Sequence, residues 1–293
     1  MNTIQIEYPS NLPDYSLLDS GNGEKLETFG GYTIIRPDPR AIWQKSVTHL
    51  WDQKQAEFIR TGPEGGTWKT YVQPPKRWLF HYQKVTFLLR PTDFKHVGIF
   101  PEQAVNWYWM TKIIDSRVHQ PINILNLFAY TGGATVVAAK HGAHVTHVDS
   151  SKSTIDWAHE NFNLNNIDTT RVRWIEDDAY KFVLREQKRG KIYDAVIMDP
   201  PRFGRGSKGE IWKLDEGLPK LLMEVKKILS PESAFVLINA YTADLSSLVL
   251  KHLMEELMKD ALGTVSFGEL ATKETSSNRL LPQGIFSRWQ RNT

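Results

Sequence analysis

The sequence predicts an α/β chain: a doubly wound, mostly parallel sheet of seven strands preceded by a small β-rich N-terminal domain. Three observations predict it. From Pro121 onward, short apolar runs alternate with segments of helical periodicity, the pattern that lays helices on both faces of a parallel sheet. One of these runs, Ala195-Val196-Ile197-Met198, is apolar at every position, as a strand covered on both sides must be. Before residue 95, Trp, Tyr, Pro and Gly are frequent and extended runs are interrupted by turn residues.

The elements follow in order. Tyr32 to Ile35 and Val85 to Leu89 read as strands, and Pro37-Asp38-Pro39, Gly62-Pro63 and Pro74-Pro75 as turns, because proline fixes φ and glycine frees the backbone. A helix or two is expected in Ala41 to Arg60. The domain boundary is placed near residue 94, giving a domain of residues 1–94 and a second of 95–293. In the second, Ile122 to Leu127 is a strand, and Ala134 to Lys140 a small-residue helix with Gly142 at its C′ position. Val145 to Val148 is the next strand, and Ser151 caps a helix to about Asn163 with Ile155, Ala158 and Phe162 on one side. Val172 to Ile175 (strand), Asp178 to Gln187 (helix) and Ala195 to Met198 (strand) come next. Leu218, Leu221, Leu222, Val225, Ile228 and Leu229 recur at helical spacing, then Phe235 to Ile238 is a strand and Leu245 to Lys259 a helix. Val265 to Leu270 and Ile285 to Trp289 have no helix between them, which predicts an antiparallel hairpin at one sheet edge.

Composition removes several functions. Lys plus Arg number 36 and Asp plus Glu 33, a net charge of +3, so an anionic partner must meet a local patch rather than a polycation. The absence of cysteine excludes disulfides, thiolate zinc sites and cysteine nucleophiles. The start, Met1-Asn2-Thr3-Ile4-Gln5, shows no signal-peptide pattern, and no apolar run approaches the roughly 20 residues that span a bilayer. A cytoplasmic protein without membrane partners is expected.

In a doubly wound sheet, ligands bind outside the carboxyl ends of the strands where strand order reverses. At the first such end stands Asn126-Leu127-Phe128-Ala129-Tyr130-Thr131-Gly132-Gly133, whose glycines permit a tight turn and a close backbone approach before a helix. Asp149 ends the second strand, Asp177-Asp178-Ala179 follows the third, and Asp199-Pro200-Pro201-Arg202-Phe203 follows the fourth. Asp149, 17 residues past Gly132 (149 − 132), is placed to accept from ribose hydroxyls. The loop lacks the first glycine of G-x-G-x-x-G, so a nucleoside with an amino-acid tail fits better than a dinucleotide, which disfavours a nicotinamide dehydrogenase. The Asp178 carboxylate suits an adenine amino group and the Ala179 N–H a ring nitrogen.

On these residues the chain resembles the class I S-adenosylmethionine (SAM)-dependent methyltransferases, in the branch related to bacterial large-subunit ribosomal RNA methyltransferases. The resemblance runs from about Lys95 to Trp289. It is carried by His96-Val97-Gly98-Ile99-Phe100-Pro101-Glu102-Gln103, Asn126 to Gly133, Asp149-Ser150, Asp178-Ala179, Asp199-Pro200-Pro201-Arg202-Phe203-Gly204 and Leu281-Pro282-Gln283-Gly284-Ile285-Phe286. It implies a Rossmann-like methyltransferase sheet and SAM as cofactor. The implied cofactor-binding residues are Phe100, Gln103, Asn126, Ala129, Tyr130, Thr131, Gly132, Asp149, Ser150, Asp178 and Ala179. Tyr130, Thr131 and Gly132 would face the methionine moiety, and Phe100 and Gln103 would close over the cofactor. Two departures stand out: no PUA-type RNA-binding domain is recognisable in residues 1–94, and the cysteine needed for methylation of cytosine C5 is missing.

The reaction itself needs alignment more than activation, since the sulfonium methyl is already electrophilic. Asp199, Pro200, Pro201 and Phe203 are the catalytic candidates. The prolines stiffen the loop and leave carbonyls to accept from an amino group, the carboxylate accepts as well, and the ring offers a stacking face for a base. Arg202, Arg205 and Lys208 are the substrate-binding candidates, the last two on a loop, 204–213, that mixes cations, glycines and Trp212. His141, His144 and His147 read as structural rather than metal-binding, because His144 and His147 point to opposite faces of a strand. The sequence thus points first to methylation of RNA, perhaps ribosomal, at nitrogen or oxygen and without metal. The alternatives are a methyltransferase of a protein or small molecule, and a non-catalytic nucleic-acid-binding module.

Overall fold

The structure is a computed structural model and describes residues 3–62, 65–117, 119–205, 209, 211–241 and 245–292. The residues group into two compact units: Met1–Glu7, Asn106–Leu270 and Gly284–Thr293 form one, Tyr8–Val105 and Ala271–Gln283 the other. Both units are therefore discontinuous in sequence, where the sequence reading places a single cut near residue 94.

Strand β1 (Gln5–Glu7) belongs to the first unit. The second holds a five-stranded sheet, β2 (Tyr15–Gly21), β3 (Glu24–Phe29), β4 (Tyr32–Pro37), β5 (Ala56–Arg60) and β6 (Gly66–Thr70), and a hairpin of β7 (Trp78–Tyr82) and β8 (Val85–Leu89). The helix expected between Ala41 and Arg60 is replaced by one 3₁₀ segment, Thr48–Gln53, and strand β5. The cause is local. The buried Asp19 carboxylate takes the N–H groups of Ser46 and Val47, both at 3.0 Å, and the Trp51 indole N–H at 2.9 Å, and β5 pairs with β6 along its whole length. The two backbone N–H groups are thereby denied to a helical ladder.

Helix α1 (Ala104–Ser116) leads into the large sheet. Its elements are β9 (Asn123–Leu127), α2 (Gly133–Lys140), β10 (His144–Asp149), α3 (Lys152–Asn163), β11 (Val172–Glu176), α4 (Ala179–Lys188), β12 (Ala195–Met198), a small hairpin of β13 (Phe203–Arg205) and β14 (Ile211–Lys213), α5 (Leu214–Lys226), β15 (Phe235–Ala240), α6 (Ser247–Leu257), β16 (Gly263–Lys273) and β17 (Leu280–Arg291). The strand order is β1-β16-β17-β15-β12-β9-β10-β11. The expected seven strands are present, and an eighth, β1, pairs in parallel with β16, so the terminal strand pair does not form the edge. Strand β17 runs antiparallel to β15, as the missing intervening helix requires.

Alternation along the strands decides what each face carries. Leu125 and Leu127 of β9 and Val148 of β10 point into a core shared with Phe182 of α4, Leu218 and Leu221 of α5 and Leu250 of α6. Their neighbours Asn126 and His147 point the other way, toward α2, where both meet Thr135. His147 is buried against the Trp174 ring, 4.8 Å between centroids, and burial followed by the nearby His159 pushes its pKa down to about 3. It is a neutral core histidine. His141 pairs with Asp115 at 2.7 Å and His144 contacts Arg171 at 3.2 Å, so the three histidines do not converge. Among the described residues no group of three His, Cys, Asp or Glu side chains is arranged to hold a metal, and no helix is long and apolar enough to cross a membrane.

Candidate active site

Strand register brings the candidate residues to one rim. Leu127 of β9 is level with Val148 of β10 on one side and Met198 of β12 on the other, and Asp149 is level with Glu176 at the end of β11. The strand order reverses between β9 and β12, so this rim is the switch point where a ligand crevice is expected.

The loop after β9 is wound tightly. Phe128, Tyr130 and Gly132 have φ of 56°, 50° and 82°, and the first two are side-chain-bearing residues in the left-handed region. Such strain is retained where surrounding bonds over-determine it. Here Ala129 N–H donates to the Val148 carbonyl at 3.1 Å, Gly132 N–H to the Ala129 carbonyl at 3.0 Å, and the buried Asn161 amide to the Thr131 carbonyl at 2.8 Å. Gly132 is the N-cap of α2 and has no side-chain cap, leaving the first-turn N–H groups directed at the rim. A Cβ on Gly132 would stand 3.0 Å from that of Ala158 on α3, and one on Gly133 2.8 Å from the Trp107 ring on α1, so the approach of these two helices to the turn needs both glycines.

Asp149 knits the rim together. Its Oδ2 accepts from Tyr130 N–H at 2.9 Å, and its Oδ1 from Ser151 N–H at 2.9 Å and Thr154 Oγ1 at 3.1 Å. A carboxylate has about four acceptor positions, so one of Asp149's stays available after these three bonds. Asp178 is the N-cap of α4, with Oδ1 accepting from Lys181 N–H at 2.9 Å, at the strand end where the sequence places this acid. Asp149, Ser150, Asp178 and Ala179 line one narrow cavity of about 70 Å³. Asp177, its neighbour, is paired with Arg185.

The remaining candidates divide. Asp199 and the buried Pro200 follow β12, and Asp199 N–H reaches the Leu127 carbonyl at 3.4 Å. Pro201 lines the same narrow cavity. Arg202 and the 49%-exposed Phe203 instead line a second cavity of about 510 Å³ between the small hairpin, α5 and α6. Asn126 turns its amide onto Thr135 Oγ1 at 2.9 Å, supporting the loop from behind. Phe100 and Gln103 fall in the other unit, where Phe100 packs edge-on to His96 at 5.2 Å and Gln103 N–H donates to the Phe100 carbonyl at 3.0 Å. Arg205 is described by its backbone alone, in β13, and Lys208 lies outside the described residues.

Segment 204–213, expected as a plain loop, contains β13 and β14 paired antiparallel, Phe203 opposite Lys213 and Gly204 opposite Trp212. Phe128 and Trp212 were not foreseen as cavity residues, yet both line the narrow one. The available signal was a lone aromatic in a glycine- and cation-rich stretch.

Comparisons with known proteins identify the family. Residues 65–262 match the S-adenosylmethionine-dependent methyltransferase family. A crystal structure of a SAM-dependent methyltransferase from Agrobacterium tumefaciens is 40% identical, covers 98% of this chain and 94% of its own, and superposes with a TM-score of 0.93. That of SMU.776 complexed with SAH shares the fold at a TM-score of 0.72 and 20% identity, covering 96% of this chain and 76% of its own. Ribosomal RNA large subunit methyltransferase K/L of Pseudoalteromonas translucida is 41% identical over 149 residues, half of this chain and 20% of that protein. Methyltransferase K of Neisseria meningitidis is 36% identical over 134 residues, 45% of this chain and 37% of its own length. The chain thus spans well under half the length of the curated relatives it matches. With the family matched over more than half of its length, the chain belongs to the S-adenosylmethionine-dependent methyltransferases.

Proposed function

We propose that this enzyme transfers a methyl group from SAM to a nitrogen or oxygen of RNA, ribosomal RNA foremost, in the cytoplasm. The observation that carries the reading is the meeting of Asp149, Asp178, Ala179 and Pro201 around one cleft at the strand-order reversal. When bound, SAM supplies an electrophilic sulfonium methyl. The open acceptor position of Asp149 holds a ribose hydroxyl, and Asp178 Oδ2 with the Ala179 N–H reads the adenine edge. The N-terminus of α2, with Tyr130, Thr131 and Gly132 before it, takes the carboxylate end of the methionine tail.

Asp199 and the Pro200 carbonyl accept from the attacking group and ease the charge that grows on it, while Phe203 offers a stacking face and Arg202, Arg205 and Lys208 engage the phosphate backbone. With no cysteine in the chain, the acceptor atom must be nucleophilic on its own account, which favours nitrogen or oxygen over a pyrimidine carbon. The large-subunit ribosomal RNA names of the relatives support the substrate class. Mass spectrometry of RNA nucleosides from cells with and without the protein tests it. One methylated nucleoside should disappear with the gene; an unchanged profile from a protein that still binds SAM rejects RNA as the substrate.

A further inference from the structure

Trp212 has a seat built for it on three sides. Its ring lies against Phe128, 4.9 Å between centroids at 54°. Its Nε1–H donates to the Pro201 carbonyl at 2.7 Å. A Cβ on Gly217 of α5 would come within 2.7 Å of the indole, so only glycine at that helical position lets the ring lie there. Glycine inside a helix costs stability relative to alanine, and the indole's place is what this one permits. Strand alternation turns Trp212 to one side of the β13–β14 hairpin, toward the cleft lined by Asp149, Asp178 and Ala179, and Phe203 with Lys213 to the other.

The indole walls the cleft that Asp149, Asp178 and Ala179 line, and it also lines a cavity of about 480 Å³ that it shares with Asp178. We infer that Trp212 is the aromatic wall of the adenine subsite and packs on the face of the purine. Through its bond to the Pro201 carbonyl it also ties filling of that subsite to the placement of Asp199-Pro200-Pro201. The inference rests on the reading of the cleft as the cofactor site. It makes Trp212 a cofactor-contacting residue that also positions the methyl-acceptor loop, so that the cofactor prepares the loop before the acceptor is aligned.

The test measures S-adenosylhomocysteine (SAH) binding by calorimetry and tryptophan fluorescence, together with single-turnover methyl transfer to total RNA. Trp212→Ala should weaken SAH binding roughly 10- to 100-fold, the scale of a lost base–aromatic stack. Trp212→Phe keeps a ring and loses the N–H, so SAH affinity should stay within about threefold while the transfer rate drops. Gly217→Ala favours the helix but crowds the indole out of its seat. It should weaken SAH binding with Trp212 intact and abolish the part of the SAH-induced fluorescence change that Trp212→Phe also removes. Wild-type SAH affinity in Trp212→Ala or Gly217→Ala, with an unchanged melting temperature, overturns the assignment. Failure of the unmodified protein to bind SAH would instead overturn the cofactor reading beneath it.

Discussion

Carboxylates occur in two contrasting settings in this molecule. In the N-terminal unit Glu27 is fully buried and saturated: Arg36 donates to it twice, at 2.7 and 2.9 Å, Tyr15 Oη at 2.8 Å, and Lys25 Nζ lies 3.4 Å away. Burial alone would raise its pKa, but Arg36 and Lys25 outweigh burial and hold it below the usual range. At the rim of the large sheet Asp149 is only half buried, its known partners are backbone N–H groups and one hydroxyl, and an acceptor position is left over. The first arrangement spends every lone pair on the fold. The second leaves one unused, which is the capacity that the proposed ribose contact needs. Partner type and spare capacity, rather than charge itself, distinguish the two acids.

Acid gives the largest effect and touches both units. His96 and His147 are buried, and their pKa values are pushed down to about 3, by burial first and then by Arg36 and Lys95 for the one and His159 for the other. Between pH 6.5 and 3 the unfolded chain binds protons these histidines refuse in the native state, so stability is present above 6.5 and lost as pH falls. The loss amounts to about 1.4 kcal/mol per pH unit for each histidine. Urea unfolding across that range should show the slope, and His147→Gln should reduce it. Next comes Glu27→Ala, which strands Arg36 without its partner and should cost about 3–5 kcal/mol of stability while leaving SAH affinity unchanged. Asp149→Ala should weigh the other way: SAH binding weaker by roughly 100-fold in calorimetry, with the lost rim hydrogen bonds costing about 1–3 kcal/mol of stability, less than Glu27→Ala. If both variants lose stability and ligand together, the contrast between the two acids fails. Asp178→Asn is the mildest, because asparagine caps a helix as well as aspartate; SAH affinity should fall by less than about tenfold with α4 intact.

Much of this was legible because it is local. The alternation from Pro121, the apolar run 195–198, and the caps at Ser151 and Asp178 are signals carried within a few residues of the structures they produce. The acids could be placed at the rim because a parallel sheet puts every strand's carboxyl end on the same side. What stayed hidden is non-local. Three residues of β1 reveal nothing of their pairing with β16, the helix expected near residue 50 lost its N–H groups to distant Asp19, and Trp212 gains its meaning only from Phe128, Pro201 and Gly217. Phe100 and Gln103 were grouped with the large sheet by sequence order, whereas their contacts place them in the N-terminal unit.

The pairing of β1 with β16 has a bearing on biosynthesis. Gln5 lies opposite Gly268, and Glu7 pairs with Arg288 through two bonds of 3.0 and 2.9 Å. A ribosome releases the first of these segments long before the second, so the nascent chain carries an unsatisfied strand until β16 has been made. Closure of this edge therefore waits for β16, and a product stalled before it leaves β1 as an unpaired strand open to pairing with other chains.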